Sequence, residues 1–185
     1  DADFQREVIE HAFALLDETS GPVLVDHPIE IKDGSDSPLS CVIPPSDTSD
    51  RSPAASEALG LLPAWKRTHK KYGRSTVGKV ISSNQVPDML DLFTRIADGE
   101  DWKEVGLPGD PTKIAADIRN FYEEASIALS DSSPSARSAE SWFVNETQAG
   151  DVIQKSRIKM KESGTNFYFW YYLLPMTQHH EPKDS

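Results

Sequence analysis

The sequence predicts an all-α or mostly α fold, an irregular helical bundle with a long polar loop and at most a minor strand element. Three observations carry that prediction. Apolar residues recur at helical spacing in separate stretches, residues that start and stop helices bracket them, and only one short run reads as extended. At 185 residues the chain can bury a real core but is too short for two comfortable domains, so a single domain over residues 1–185 is expected.

The first stretch places Phe4, Val8, Ala12, Leu15 and Leu16 on one helical stripe, widened by Ile9 and Phe13. In this reading Asp3 caps its start and Gly21-Pro22 stops it. Val23, Leu24 and Val25 then make the one short extended piece. Residues 33–56 change character, with seven Ser, four Pro and four Asp among 24 residues. Such a segment cannot bury enough surface to order itself, and a flexible loop or insert is expected. Its only apolar knot, residues 39–43, is the part able to dock on the body.

Residues 58–62 lead through Pro63 and Trp65 into a basic segment. Lys66, Arg67, Lys70, Lys71, Arg74 and Lys79 put six positive charges into 14 residues without an acid. Because the whole chain carries −11, the remainder carries −17. A second helix is predicted over 87–97, with Met89, Leu90, Leu92, Phe93 and Ile96 apolar and Gly99 just past its end. A third opens at Asp110-Pro111, an N-cap followed by proline at the first helical position. Its stripe is Ile114, Ile118, Phe121, Ala125 and Leu129. Residues 130–138 read as a Ser-rich linker, 139–162 as one long helix closed by Ser163-Gly164, and 178–185 as a polar tail. Between them runs Phe167, Tyr168, Phe169, Trp170, Tyr171 and Tyr172. Six consecutive aromatics cover every side of a helix, which places them in the core, or partly in the core and partly at a subunit interface.

Charge and composition remove several function classes. A net of −11 repels phosphate, so neither nucleic acid nor an anionic membrane is an expected partner. The lone Cys41 leaves no internal disulfide and no Cys-based zinc cage, and fits a reducing, cytoplasmic compartment. No apolar run reaches the roughly 18 residues of a membrane span. No charged-then-apolar leader opens the chain, and the absence of Met before Asp1 leaves room for an upstream piece. No cofactor motif is recognised and no metal is expected: Glu7 and His11 are one turn apart without a second matching helix, and His27 and His179-His180-Glu181 are scattered.

Two segments carry chemical interest. Gly73-Arg74-Ser75-Thr76-Val77-Gly78-Lys79 has the G-x-x-x-x-G-K skeleton of a phosphate-binding loop. It lacks both the following Ser or Thr (Val80 stands there) and the preceding hydrophobic strand (Lys70-Lys71-Tyr72 stands there), so a Gly-punctuated turn is the better reading. The basic segment is either a solvated face or a docking patch for an anionic small molecule or acidic surface, with Lys70, Lys71, Arg74 and Lys79 as the binding residues. In the second segment, a continuous helix would put Trp142, Glu146, Ala149 and Ile153 on one face. A carboxylate inside an apolar stripe is either paired structurally or has a raised pKa fit for acid–base work. Gly150 inside a helix costs about 1 kcal/mol relative to Ala, which implies close packing against that turn. Asn145-Glu146-Thr147 is an accidental glycosylation sequon, and no nucleophile signature is present.

Gly73-Arg74-Ser75-Thr76-Val77-Gly78, together with Trp142-Phe143, Glu146-Thr147 and Ala149-Gly150 and the helix over 117–122, resembles a group of small, acidic, uncharacterised bacterial proteins across about residues 72–155. The resemblance implies a bacterial cytoplasmic origin and a helical fold, and it brings no reaction. Where that group continues with Val-Ser-Gly, this chain has Lys79-Val80-Ile81. The leading expectation is therefore a soluble accessory or interaction protein that works by binding. Its partner would be another protein, a second copy, or an anionic small molecule, held by the basic residues and Trp142. Two alternatives stand beside it: a small cofactor-free enzyme with Glu146 as acid or base and Arg74 or Lys79 as anion anchor, and a small-ligand sensor with an aromatic-lined pocket. An enzyme requires convergent polar groups in a pocket near Glu146; a binding module requires an exposed apolar patch without one.

Overall fold

The computed structural model describes residues 2–29, 50–130 and 134–179. It is 66 % helical, with seven α-helices and no strand among the described residues, so the fold is all-α. Val23, Leu24 and Val25, read above as extended, have no regular structure. The chain divides into two compact units, Asp1–Asp33 and Gly34–Ser185.

The first unit holds α1 (Ala2–Ala14), which tightens into a 3-10 turn over Leu15–Asp17. Glu18 then turns extended, so the helix ends before Gly21-Pro22 rather than at it. No residue of α1 is buried. The His27 ring meets Phe4 and His11 edge-on, at centroid distances of 5.7 and 5.3 Å.

The second unit begins earlier in helix than composition suggested. Ser52 accepts the Ala55 N–H and Pro53 takes the first turn, so α2 runs Pro53–Tyr72. The last part of the expected 33–56 loop is therefore helical, while residues 30–49 lie outside the described ones. Arg51 ties this start to α3 (Val86–Ala97) through Asp88 at 2.7 Å and Asp91 at 3.1 Å. The buried face of α2 is small: Ala54, Ala55, Ala58, Leu61 and Ala64. Small side chains let α4 (Pro111–Ile127) close on it with Ile114, Ile118, Phe121 and Ala125. As the sequence indicated, Asp110 caps α4, accepting the Thr112 N–H at 2.8 Å.

The long helix expected over 139–162 is two helices, α5 (Ala136–Glu146) and α6 (Gln148–Glu162). Thr147 makes the break. Its ψ of 150° leaves helical space, its Oγ1 donates to Phe143 O at 2.6 Å, and the same oxygen accepts the Gly150 N–H at 3.0 Å. A Cβ at Gly150 would lie 2.1 Å from Phe143 O, so the corner depends on glycine. Ser135 caps α5, which turns the end of the predicted linker into helix; residues 131–133 lie outside the described ones. α6 packs against α3, α5 and α2 and carries α7 (Phe167–Tyr171) on another side.

The aromatic run is not wholly core: Phe169 and Trp170 pack on the core from half-buried positions, as the part-core alternative has it. None of its six residues is buried; Phe167, Tyr168 and Tyr172 are 53, 44 and 49 % exposed. A five-residue helix has one face against the body, and the two leucines that follow, Leu173 and Leu174, make the buried anchor instead. The expected polar tail is partly structured: Met176–Gln178 form a 3-10 turn, and His179 stands edge-on to Tyr171 at 4.5 Å, its Nε2 3.1 Å from Leu174 O. Residues 180–185 lie outside the described ones.

Candidate functional site

α4 presents a polar row beside its apolar stripe. Asp117, Asn120 and Glu124 are spaced by three and four residues and face the loop that joins α2 to α3. Asp117 is completely buried. Its Oδ1 accepts the N–H groups of Gly78 and Lys79, both at 3.1 Å, and its Oδ2 those of Val80 at 2.8 Å and Ile81 at 3.0 Å. Glu124 accepts from Thr76 N at 2.7 Å and Thr76 Oγ1 at 2.9 Å through Oε1. Through Oε2 it accepts from Trp65 Nε1 and Ser75 Oγ, both at 2.8 Å. Asn120 donates to Thr76 O at 3.3 Å.

This geometry explains the phosphate-loop look-alike. Consecutive backbone N–H groups converge on an anion, as in a nest, and Gly78 at φ 118° permits the turn. The anion is the chain's own Asp117 carboxylate. With those four amides engaged, no cradle is left for a nucleotide phosphate.

Against the body formed by α2, this loop and α4 lies a cavity of about 320 Å³ lined by Thr68, Tyr72, Arg74, Ser75, Thr76, Glu124 and Ile127. Lys66, Arg67, Lys70 and Lys71 lie on the exposed face of α2, and Arg74 and Lys79 are exposed in the loop. None of the six makes an ion pair among the described residues. Of the expected binding residues, Arg74 lines this cavity, and Lys70, Lys71, Lys79 and Trp142 do not. Lys70 and Lys71 sit on the last turn of the same helix, where the helix dipole favours cations.

The other expected site residues are placed differently. Trp142 is 2 % exposed and packs on Tyr122 at 6.1 Å, so it is core and offers nothing to a ligand. Glu146 is exposed at the end of α5. The break at Thr147 takes it out of the stripe that continues through Ala149 and Ile153, and it lines neither of the cavities described here. No group of His, Cys, Asp or Glu suited to a metal occurs among the described residues.

Other carboxylates are the informative ones. Glu57 accepts from Tyr122 Oη at 2.9 Å and from the first N–H groups of α6, Gln148 at 3.0 Å and Ala149 at 3.2 Å. It caps that helix from another element. Burial pushes the Glu57 carboxyl above its ordinary value despite these bonds, and burial next to Glu57 pushes the Tyr122 hydroxyl well up. Glu123 lies 3.5 Å from Arg119. Burial outweighs that partner and, with Glu140 and Glu124 adding repulsion, raises its pKa to about 7. A usable signal existed for Asp117: it lies within the span of the 114, 118, 121 stripe, where a carboxylate must find donors. For Glu57 and Glu123 no local pattern pointed to burial.

A second cavity, of about 420 Å³, lies where the ends of α3 and α6 meet, with Ile96, Trp102 and Met160 among its walls. Its Glu100 is paired with Arg95 at 2.6 Å and its Glu162 with Lys159 at 3.0 Å. Beside it, Trp102 packs on Phe169 at 4.9 Å and leads to the aromatic face of α7. There Arg157 and Lys161 stand over Trp170 at 5.6 and 5.4 Å, and Lys103 over Trp102 at 5.9 Å. No helix among the described residues is long and apolar enough to cross a membrane. Comparison of the chain with protein-family models, with curated proteins and with solved structures finds no match.

Proposed function

We propose that the protein acts by binding, as an accessory or interaction subunit, and that α7 with the residues after it is the contact face. One observation carries this reading: Phe167, Tyr168 and Tyr172 are exposed side by side, with Met176 63 % exposed just beyond them. Aromatic residues and Met concentrate at interfaces, and contiguous exposed apolar surface marks interaction sites. Cations stand over the half-buried Trp170 and Trp102 at its edge. The partner that fits is a segment with apolar side chains flanked by Asp or Glu. A second copy fits less well, since a chain of −11 repels itself. Catalysis at Glu146 has no such support, because that carboxylate is exposed and lines neither of the two cavities above. The lone Cys41 favours a reducing, cytoplasmic setting for the complex.

The test is selection of displayed peptides against the protein, followed by titration with the F167S/Y172S double variant. Selected peptides should combine acidic and apolar residues, and the variant should bind them at least tenfold more weakly, the equivalent of about 1.4 kcal/mol. Equal binding by the variant refutes the assignment. So does concentration-dependent dimerisation abolished by the same changes, which would give the face to a second copy.

A further inference from the structure

The N-terminal unit carries more apolar surface than it covers. No residue of α1 is buried, yet the helix and the 3-10 turn that closes it hold two separate apolar stripes. Phe4, Val8, His11 and Leu15 recur at helical spacing and are half-buried, and on this side the His27 ring returns against Phe4 and His11. Ile9, Phe13 and Leu16 form the second stripe, at spacings of four and three, and they are 54, 65 and 76 % exposed. Residues 9–29 hold seven of the twelve large apolar side chains that are exposed among the described residues, so this surface is concentrated, as at an interaction site, and not scattered. We infer that α1 with its closing turn is a recognition helix, which seats Ile9, Phe13 and Leu16 in an apolar groove with a basic rim on another protein.

Spacing and charge define the partner. Anchors at i, i+4 and i+7 are the pattern by which an amphipathic helix lies in a groove, and at 1.5 Å per residue the three span about 10 Å. Asp3, Glu10 and Asp17 follow one another at intervals of seven residues, two turns each, and so run along one edge of the stripe. Arg6, the one Lys or Arg beside seven acidic residues in residues 1–29, is 3.9 Å from Asp3. The complement is a groove with an apolar floor and Lys or Arg on the rim that meets this edge. A lipid surface fits less well, since helices that lie on membranes are rich in Lys and Arg on the polar face. A second copy also fits less well. The stripe ends after about two turns, short of the three or more heptads of a coiled coil, and pairing would bring like-charged edges together. At 13 residues α1 is of the length at which an isolated helix is marginal in water, so a groove would hold the helix as well as its anchors.

The test is a selection from a displayed library of helical-repeat scaffolds with randomised concave grooves. The bait is the full chain carrying F167S/Y172S, which keeps the α7 face from competing. Enriched grooves should combine an apolar floor with Lys or Arg along one rim, and are then titrated against the wild-type chain. Phe13→Ala with Leu16→Ala should weaken that binding by at least about tenfold. Glu10→Lys with Asp17→Lys should weaken it too, by a factor that shrinks at high salt. No residue of α1 is buried, so neither pair should move the melting temperature. Failure to enrich any groove, enrichment of grooves without a basic rim, or equal binding by the F13A/L16A chain overturns the inference. A marked fall in melting temperature with F13A/L16A would place the stripe inside the fold and overturns it as well. So does self-association, or binding to phosphatidylglycerol vesicles, that the same changes abolish, since the stripe would then belong to a second copy or to a membrane. None of these outcomes bears on the α7 face, which is tested with different residues.

Discussion

Asp117→Asn is the substitution that tests the central reading of this fold. The wild-type carboxylate is fully buried and accepts four backbone N–H groups, two on each oxygen, at 2.8–3.1 Å. Asparagine keeps one accepting oxygen and turns an NH₂ group toward two N–H donors. Two charge-assisted bonds are lost, each worth roughly 1.5–3 kcal/mol net, so the loss is about 3–6 kcal/mol. Removing the charge also relieves part of the penalty for burying it, which places the expected cost near the lower end, about 3 kcal/mol. For a chain of this size each kcal/mol moves the melting temperature by roughly 2–4 °C, so a thermal melt followed by circular dichroism should fall by on the order of 10 °C. Hydrogen exchange should accelerate first at residues 78–81, because those amides lose their acceptor, while exchange in α3 and α6 follows only the global loss. A shift below about 2 °C, with protection at residues 78–81 unchanged, would refute the idea that the loop is built around this carboxylate.

Three further outcomes follow from the same geometry. The Glu123 pKa near 7 lies above the ordinary 4.5, so the folded state holds an extra proton between those values and its stability falls as pH rises from about 4.5 to 7. At about 1.36 kcal/mol per pKa unit the full effect is roughly 3 kcal/mol, and partial exposure of the side chain (28 %) trims it to roughly 1–3 kcal/mol. Glu123→Gln should therefore match wild type near pH 4.5 and exceed its stability at pH 8, and parallel stability profiles for the two proteins would sink this reading. Gly150→Ala, favourable for helix propensity by about 1 kcal/mol, should instead destabilise by about 1–3 kcal/mol, since the new methyl would sit 2.1 Å from a backbone oxygen; a rise in denaturation midpoint would contradict the α5–α6 corner. Tyr122→Phe removes the hydroxyl that Glu57 accepts at 2.9 Å and should cost about 1.5–3 kcal/mol in chemical denaturation, whereas a neutral result would mean that the two N–H groups of α6 suffice.

What the sequence disclosed and what it withheld follow one physical line: local signals were legible, and partners distant along the chain were not. Asp110-Pro111 and the Ile114, Ile118, Phe121, Ala125 stripe placed α4 almost to the residue, because capping and periodicity act within a few turns. The same signal, Ser52-Pro53, lay inside a Ser- and Pro-rich window whose average composition masked it. The stripe through Trp142, Glu146 and Ala149 assumed an unbroken helix, yet Thr147 offers a hydroxyl that closes one helix and opens the next, so Glu146 moved from an inferred apolar face into solvent. Placing the aromatic run entirely in the core failed for a related reason. Residue type alone argued for burial, but a five-residue helix followed by two buried leucines leaves half its rings outside. Asp117 shows the limit most clearly. Helical arithmetic puts it among buried residues, but its four donors lie 36 to 39 positions away, and nothing in the spacing of either segment specifies that they meet. Once they do, the G-x-x-x-x-G-K pattern takes on a different meaning. The glycines that would let a backbone wrap a phosphate here let it wrap a carboxylate of its own chain.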